Sequence, residues 1–167
     1  MAVTVEQIRS LREQTGAGIM ECKVALEESD GNIEKAVEAL RQKGFAQAAK
    51  RADRATTEGV IEAYIHTGGR VGGMVELGCE TDFVARTEEF KALAHDIAMQ
   101  VAAMAPTYIS SEERADDETL PPAQVSLLEQ PFIKDSSRMV SDLIQELAAK
   151  VGENVRVVRF SRLALEE

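Results

Sequence analysis

The sequence predicts an α+β protein in which an N-terminal three-helix bundle precedes a small core domain with an antiparallel sheet. Apolar residues recur at helical spacing in three short segments before residue 45, and they alternate as in strands from residue 58 onward. Later helical and strand-like segments complete the order β-β-α-α-β, which is typical of the α+β class. The predicted domains are a bundle at 1–45, a basic helical linker at 46–57 and a core domain at 58–167.

Three short helices form the predicted bundle. Thr4 and Gln7 have the spacing of a capping box, and the letters TGAG end the first helix. The second helix is predicted from Ile19 to Ser29, and the third ends near Gly44 because glycine favours the conformation that closes a helix. A bundle of this size buries little apolar surface, so we expect a docking module attached to a larger domain.

Residues 41 to 54 are the one basic stretch of a chain whose formal net charge is −10. Only 4% of the residues are aromatic and none is Trp, which argues against a phosphate-binding surface or a base-stacking platform. We interpret the basic stretch as a solvated helical linker that balances an acidic chain. The expected partner is a protein, and no direct contact with nucleic acid is predicted.

A β-hairpin and a helix begin the predicted core domain. Ile61, Ala63 and Ile65 share one face of a strand within 58–67, and the letters TGGR form a turn. The returning strand places a second set of residues on one face, namely Val71, Gly73, Val75, Leu77 and Cys79. Thr87 is the predicted N-cap of a helix whose apolar stripe should cover one face of the hairpin.

A long loop separates this helix from the end of the domain. All four prolines fall within an acidic segment at 105–135 that shows no sustained period. A helix capped by Ser136 or Ser137 is predicted next, and Gly152 ends it. Residues 154 to 165 then form a third strand with apolar side chains on both faces, namely Val157, Val158, Phe160 and Leu163.

Four residues have the ligand chemistry of a Cys₂His₂ zinc site or of a thiol enzyme: Cys22, His66, Cys79 and His95. No two of them lie within five residues of each other, whereas zinc ligands come in closely spaced pairs. A thiol enzyme would use Cys79 with a histidine base, but this thiol is predicted on the apolar face of its strand, where it is inert. We therefore predict no catalytic residue, no metal, no cofactor and no enzyme.

Sequence features also indicate a cytoplasmic protein. Glu6 and Arg9 interrupt any early apolar run, so no secretory leader is predicted. The longest uncharged run, residues 97–111, has 15 residues and includes Gln100 and Pro106, which is too short to cross a hydrocarbon core of about 30 Å. Two cysteines far apart in the sequence fit a reduced compartment.

The letters CETDFVAR, residues 79–86, place Asp82 beside Phe83 where a strand ends and a helix begins. From this local pattern alone, Asp82 is a cap or turn residue and Phe83 is a core residue, since large apolar side chains are usually buried. Two motifs change that interpretation.

These motifs resemble the signatures of the bacterial elongation factor Ts family. They are LREQTGAGIMECKVAL at 11–26 and ELGCETDFVAR at 76–86, and AAKVGENVRVVRF at 148–160 resembles the closing helix and strand of the family. The resemblance covers nearly everything except the proline-containing segment. Two departures are Val24, where the family usually has a polar or charged residue, and Gly78, where Asn is usual.

The resemblance implies a guanine nucleotide exchange factor for the translational GTPase elongation factor Tu. It implies that one set of residues docks the GTPase domain and that Asp82 and Phe83 are inserted near its Mg²⁺ and phosphate site. The implied partner-binding residues are Arg12, Ile19, Met20, Thr81, Asp82, Phe83 and Val84. The open alternative is an interaction module without exchange activity, because small three-helix bundles also resemble ubiquitin-associated or nascent-chain-binding domains.

The resemblance further implies a homodimer. Long members of the family have a core of two related halves, and this chain has room for one half, like the short members in which two copies are thought to supply both. A three-stranded sheet with helices on one side also leaves an apolar face and open edges that need covering. A second copy of the chain is the simplest cover.

Overall fold

A computed structural model describes residues 3–165, and among these residues no helix is long and apolar enough to cross a membrane. The bundle consists of helices α1 Val5–Thr15, α2 Ile19–Glu28 and α3 Ile33–Ala49. The core domain begins with strands β1 Glu58–Ile65 and β2 Val71–Cys79 and helices α4 Asp82–Ala85 and α5 Glu88–Met104. It continues with helix α6 Pro122–Val125, strands β3 Pro131–Phe132 and β4 Asp135–Met139, helix α7 Val140–Val151 and strand β5 Arg156–Ala164. The predicted α+β class is confirmed.

A capping box starts the bundle, as predicted. The Gln7 amide donates to Thr4 Oγ1 at 3.2 Å and the Thr4 amide donates to Gln7 Oε1 at 3.0 Å, so two N–H groups at the start of α1 are satisfied. The three helices bury a small cluster that consists of Leu11, Cys22, Ala25, Leu26, Ala36 and Leu40. This cluster is separate from the larger one of the core domain, so the bundle has its own small core.

Helix α3 is longer than the sequence predicts. The predicted end near Gly44 is wrong, because α3 continues through this residue to Ala49. A Cβ atom on Gly44 would lie 2.9 Å from the Cβ of Ala149 in α7, so glycine here allows two helices to cross closely rather than ending one of them. The predicted linker at 46–57 therefore starts inside α3.

The main sheet is antiparallel with the order β1-β2-β5, and α5 covers one of its faces. A Cβ atom on Gly73 of β2 would lie 2.4 Å from the carbonyl oxygen of Ala98, which shows how closely the backbone of α5 approaches the strand. The Thr87 hydroxyl caps α5 by accepting a hydrogen bond from the Phe90 amide at 3.2 Å. The predicted hairpin, cap and covering helix are confirmed.

The segment 105–139 contains more regular structure than the predicted loop. It holds two single 3₁₀ turns, α6 and the β3-β4 hairpin. Two fully buried amides fasten it to α5, since Gln100 Nε2 donates to Gln130 Oε1 at 3.2 Å and to the Pro131 carbonyl at 3.1 Å. These contacts join residues 30 and 31 positions apart, so no local period of the sequence indicates them.

Helix α7 begins later than predicted. The predicted caps Ser136 and Ser137 lie in β4, so that prediction is wrong. The N-cap is Met139, whose N–H donates to Asp142 Oδ2 at 2.9 Å, so the carboxylate at the third helical position reaches back to the N-cap as in one half of a capping box. The predicted end of the helix at Gly152 is confirmed.

In the described part of the chain, the face of the sheet opposite α5 is open. Ile61 and Ile65 of β1 are 64% and 65% exposed, and Leu163 of β5 is 79% exposed. Because alternate residues of a strand point to opposite faces, these side chains lie together on the face away from α5. The apolar open face predicted from the sequence is therefore present.

Candidate functional site

The α1–α2 corner, which we define as Arg12, Ile19 and Met20, presents the predicted docking residues on the surface. Ile19 and Met20 are 57% and 65% exposed although both are apolar, and Arg12 is exposed as well. Gly16 ends α1 in the left-handed conformation, and its N–H donates to the Arg12 carbonyl at 2.8 Å. This tight turn brings the end of α1 next to the start of α2, so the three side chains belong to one corner of the bundle.

Glu21 fixes the start of α2. One of its carboxylate oxygens accepts a hydrogen bond from the Gly18 N–H at 3.2 Å, and the other lies 3.3 Å from the Lys43 ammonium of α3. The Gly18 N–H and then Lys43 lower the pKa of the Glu21 carboxyl below its ordinary value. The helix start that carries Ile19 and Met20 is therefore braced against α3.

Val24 extends the apolar surface of the α1–α2 corner by one helical turn. It is 43% exposed and follows Met20 by four residues, a spacing that places both side chains on the same side of α2. The sequence marks Val24 only as a departure from the family pattern. An exposed apolar residue where a polar one is usual enlarges the surface available for contact.

The Phe83 corner, which we define as Thr81, Asp82 and Phe83, projects where β2 ends and α4 begins. Phe83 is 81% exposed, more than any other large apolar residue in the described part of the chain. Phenylalanine side chains are usually buried, and for that reason the local pattern predicts Phe83 as a core residue. The exposure of Phe83 shows that this prediction is wrong. The Asp82 carboxylate lies 2.8 Å from the guanidinium of Arg86.

The rest of α4 anchors this corner to the core. Val84 and Ala85 are 9% and 6% exposed, and both pack in the large hydrophobic cluster. The Thr81 hydroxyl caps α4 by accepting from the Val84 amide at 3.5 Å. Of the residues that the resemblance assigns to partner binding, Val84 therefore faces the core of its own domain.

A carboxylate from the turn between α7 and β5 holds the Phe83 corner. Glu153 Oε2 accepts hydrogen bonds from the N–H groups of Glu80 and Thr81, both at 3.0 Å, and Glu153 Oε1 accepts from the Thr81 hydroxyl at 2.6 Å. Bonds to an ionised acceptor are stronger than bonds between neutral groups. Glu153 lies 73 and 72 residues from its partners, so its spacing in the sequence carries no signal of this role.

The next residue, Asn154, joins the same turn to the exit of the bundle. Its backbone N–H donates to Glu80 Oε1 at 2.7 Å, and its side-chain amide donates to the carbonyls of Ala52 and Arg54 at 2.9 and 2.8 Å. Asn154 is 6% exposed, so these bonds satisfy a buried amide. A continuous set of hydrogen bonds thus runs from the segment after α3 to the Phe83 corner.

The candidate thiols lie in the core. Burial among apolar side chains raises the pKa of the Cys79 thiol to about 11 from an ordinary value of 9.0, and the nearby Glu153 carboxylate adds to the rise. Cys22 is also buried. Within residues 3–165, no group of three or more His, Cys, Asp or Glu side chains could hold a metal ion.

Both histidines contact polar side chains of β1. His66 Nδ1 lies 3.0 Å from the Tyr64 hydroxyl, and His95 Nδ1 lies 3.2 Å from a Glu62 carboxylate oxygen. Neither contact involves Cys79, so the geometry does not form the base and thiol pair that a thiol enzyme needs.

The basic stretch at 41–54 makes several contacts with acidic side chains. Three of its cations form ion pairs: Arg41 with Glu38 at 2.9 Å, Lys43 with Glu21 at 3.3 Å and Arg54 with Glu80 at 3.6 Å. Arg41 also lies over the Phe45 ring, 4.9 Å from its centroid. Much of the local positive charge is therefore used within the chain.

Apart from the buried Val84, the predicted site residues lie on surface corners rather than in a cleft. A cleft of about 610 Å³ lies between the bundle and α7, with Glu13, Lys43, Glu146 and Lys150 among its lining residues. Its lining includes no residue of the α1–α2 corner or of the Phe83 corner. The fold and the two corners define a class of protein, a small α+β factor whose candidate site is exposed apolar surface suited to a macromolecule.

Comparison with known proteins identifies the family. The sequence model of a family described as "Elongation factor TS" matches residues 5–121. Elongation factor Ts of Carboxydothermus hydrogenoformans is 48% identical over 195 aligned positions, which cover 99% of this chain and 90% of the relative. Elongation factor Ts of Thermotoga neapolitana is 49% identical over 195 positions, which cover 100% of this chain and 99% of the relative. The chain belongs to the elongation factor Ts family, a family of translation elongation factors.

Proposed function

We propose that this protein is the guanine nucleotide exchange factor of elongation factor Tu and that Phe83 is the side chain that drives GDP release. The observation that carries the proposal is the exposure of Phe83, which is 81% exposed on a helix whose next two residues are buried. Membership of the elongation factor Ts family supports elongation factor Tu as the partner. The exposed apolar residues of the α1–α2 corner support a second, separate contact with the same GTPase.

The mechanism needs binding energy and no covalent chemistry. A factor that binds the nucleotide-free GTPase more tightly than the GDP form must weaken GDP by the same factor, because the two equilibria are linked. The exchange factor therefore acts through any contact that forms only when the nucleotide site is open. Contacts that form equally well in both states hold the complex together without promoting release.

Phe83 is suited to the first kind of contact. Its ring projects from a rigid corner and can enter a gap between elements of the GTPase that hold Mg²⁺ and phosphate. A buried aromatic anchor contributes about 2 to 4 kcal/mol at an interface. If this energy is gained only in the nucleotide-free state, it corresponds to a change of about 30- to 1000-fold in GDP affinity.

The other residues of the two corners have supporting roles in this proposal. Asp82 makes polar contacts beside the ring once it leaves Arg86, and Thr81 caps the helix that carries both residues. Val84 anchors this helix from inside, because it is buried. The α1–α2 corner docks the GTPase domain through contacts that form in both nucleotide states.

The test is the release of fluorescent GDP from elongation factor Tu after addition of excess unlabelled GDP. Wild-type protein should accelerate release strongly, and Phe83→Ala should lower that acceleration about 30- to 1000-fold while the variant remains folded. Leu120→Ala is the matched control, since Leu120 is also an exposed large apolar residue, 48% exposed, in the separate segment 105–139.

Two results would contradict the proposal. If a folded wild-type protein does not accelerate GDP release, the chain is an interaction module without exchange activity. If wild type accelerates release and Phe83→Ala does so equally well, the exchange function stands but the role of Phe83 does not.

We also propose that the active form is a homodimer in which the open sheet faces of two copies pack on each other. Ile61, Ile65 and Leu163 are all more than 60% exposed on this face, and Met74 is 46% exposed between the outer strands. Two sheets that pack face to face form a common two-layer arrangement, and a two-fold interface of this kind needs only one self-complementary surface.

Sedimentation equilibrium tests the dimer. Wild-type protein should have twice the mass of one chain, and Leu163→Glu should have the mass of one chain, because a charge buried in an apolar interface is costly. Leu120→Glu should remain dimeric, because Leu120 is an exposed leucine, 48% exposed, that lies outside the sheet. A monomeric wild type at micromolar concentration would contradict the dimer.

The remaining features of the proposal concern chemistry and location. The factor acts without catalytic residues, metal or cofactor, which fits a buried Cys79 thiol whose pKa is raised to about 11. It acts in the cytoplasm, where translation takes place. It makes no direct contact with nucleic acid, which fits the ion pairs that engage Arg41, Lys43 and Arg54.

A further inference from the structure

We infer that Glu153 is a positioning residue for nucleotide exchange: its carboxylate holds the Glu80–Thr81 turn in the conformation that presents Phe83 to the GTPase. The inference rests on the proposed function and deepens it. It concerns a residue that lies far from the Phe83 corner in the sequence and that the resemblance to the family does not assign to partner binding.

The donors that Glu153 contacts lie in the turn between β2 and α4. Strand β2 ends at Cys79 and helix α4 begins at Asp82, so the N–H groups of Glu80 and Thr81 lie in the break between two regular elements. Glu153 Oε2 accepts from both of them at 3.0 Å, and Glu153 Oε1 accepts from the Thr81 hydroxyl at 2.6 Å. One side chain thus satisfies two backbone N–H groups that lie outside regular secondary structure, together with one hydroxyl.

Glu153, the residue that accepts these bonds, lies next to packed structure. Glu153 follows Gly152, which ends α7 in the left-handed conformation, and it precedes Asn154 and Val155, which are 6% and 5% exposed. Asn154 is itself bonded to Glu80 and to the segment after α3. Glu153 therefore stands between the end of α7 and two packed residues, and its carboxylate can fix the turn that it contacts.

The position of the Phe83 ring depends on this turn. The ring is 81% exposed, so contacts of its own domain do little to fix its position. Its direction is set by the backbone of α4, a helix of 4 residues whose cap bond from the Val84 amide to Thr81 Oγ1 is long, at 3.5 Å. The same Thr81 hydroxyl donates to Glu153, so Glu153 determines where the cap, and with it the ring, is held.

Pre-organisation of this kind raises the productive fraction of encounters with the GTPase. A turn that is ordered before binding does not lose conformational entropy on binding. We expect Glu153→Ala to lower the acceleration of GDP release about tenfold, since one or two residues would then become ordered only in the complex. In Glu153→Gln, the side-chain oxygen can still accept from the two N–H groups, and the side-chain NH₂ can donate to the Thr81 hydroxyl oxygen. Glu153→Gln should therefore retain most of the acceleration of GDP release.

The experiment is a double-mutant cycle with fluorescent GDP on elongation factor Tu. It compares wild type, Glu153→Ala, Phe83→Ala and the double variant, with Glu153→Gln as the rescue. If Glu153 acts through Phe83, Glu153→Ala slows release about tenfold in the wild-type background and has no further effect once Phe83 is absent. Glu129→Ala is the matched control, because Glu129 also accepts two hydrogen bonds from one residue, Ser111, in a segment away from the corner.

Hydrogen exchange of the backbone amides supplies a readout that does not involve the GTPase. Glu153→Ala should accelerate exchange at residues 80–86, whereas Glu153→Gln and Glu129→Ala should leave these amides as in wild type. The inference would be overturned if Glu153→Ala slowed GDP release equally with and without Phe83. It would also be overturned if Glu153→Ala changed neither the release of GDP nor the amide hydrogen exchange at residues 80–86. If the wild-type protein does not accelerate GDP release from elongation factor Tu, the proposed function fails instead. The amide exchange still shows whether Glu153 orders the turn.

Discussion

The α1–α2 corner and the Phe83 corner both expose large apolar side chains, but they are held in different ways. The α1–α2 corner rests on a bundle whose core has six buried residues, and it spreads its apolar surface over Ile19, Met20 and Val24. The Phe83 corner rests on the large core cluster and concentrates its exposed apolar surface in one ring. Hydrogen bonds to Glu153 hold it in place.

Under the proposed function, this difference gives the exposed apolar surface of the two corners two separate roles. A broad surface on a small bundle can adjust to a partner and lose one side chain at modest cost, which suits docking in both nucleotide states. A single ring on a rigid support has one effective position, which suits a contact that distinguishes the two states. Substitutions in and beneath the two corners should therefore have different effects.

The largest effect on stability is expected from a substitution in the core cluster that supports the Phe83 corner. Phe90 is fully buried in the core cluster, in the first turn of α5. Phe90→Ala should lower the free energy of unfolding by about 3–5 kcal/mol, because it leaves a cavity in a packed core. Phe83→Ala should change it by about 0.5 kcal/mol or less, since the ring is exposed. Urea unfolding followed by circular dichroism measures both, and similar losses would show that Phe83 is a core residue.

A smaller effect on stability is expected from a substitution in the small cluster that supports the α1–α2 corner. Leu11 is fully buried in the small cluster of the bundle. Leu11→Ala should destabilise the bundle by about 2–4 kcal/mol. Because the two clusters are separate, amide exchange in α1 and α2 should accelerate much more than exchange in β2. Uniform acceleration throughout the chain would show that bundle and core unfold as one unit.

Within the docking surface itself, a single truncation should have a modest effect on affinity. Met20→Ala should raise the concentration of factor needed for half-maximal GDP release about 5- to 10-fold, which corresponds to about 1 kcal/mol of contact, and should leave the maximal rate unchanged. Titration of the factor against labelled elongation factor Tu measures both values. Val5→Ala is the control, since Val5 is 76% exposed at the other end of α1, and a lower maximal rate for Met20→Ala would contradict the docking role.

The smallest effect concerns pH at the base of the Phe83 corner, where Cys79 Sγ donates to the Thr81 carbonyl at 3.2 Å. The folded chain keeps this thiol protonated until about pH 11, whereas the unfolded chain ionises it near 9.0. Unfolding therefore releases a proton between these values, and the stability that is full below pH 9 decreases as the pH rises. Between pH 8 and pH 9.5, wild type should lose about 1 kcal/mol, or slightly less, relative to Cys79→Ala. Parallel pH profiles of the two proteins would contradict the raised pKa.

Local sequence patterns predicted the elements whose causes are local. The capping box at Thr4, the cap at Thr87 and the helix end at Gly152 each depend on residues within one turn, and all three are confirmed. The end of α3 at Gly44 was mispredicted because its cause is tertiary. Glycine is needed there for the approach of Ala149, which lies more than a hundred residues away in the sequence.

The candidate site, like the fold, could be predicted from the sequence only where the signal is local. The two motifs located Asp82 and Phe83, although local propensity alone assigned Phe83 to the core. The contact that holds this corner joins Glu153 to residues 72 and 73 positions earlier, so neither periodicity nor spacing could indicate it. Val24 was visible in the sequence as an unusual residue, but its exposure became clear only from the packing of α2.

The most direct test of the two functions is the affinity of the factor for elongation factor Tu in its nucleotide-free and GDP-bound states. Isothermal titration calorimetry on wild type and Phe83→Ala gives the four dissociation constants. Phe83→Ala should weaken binding to the nucleotide-free state about 30- to 1000-fold and binding to the GDP-bound state far less. Equal weakening in both states would contradict the account, because the ring would then contribute to docking alone.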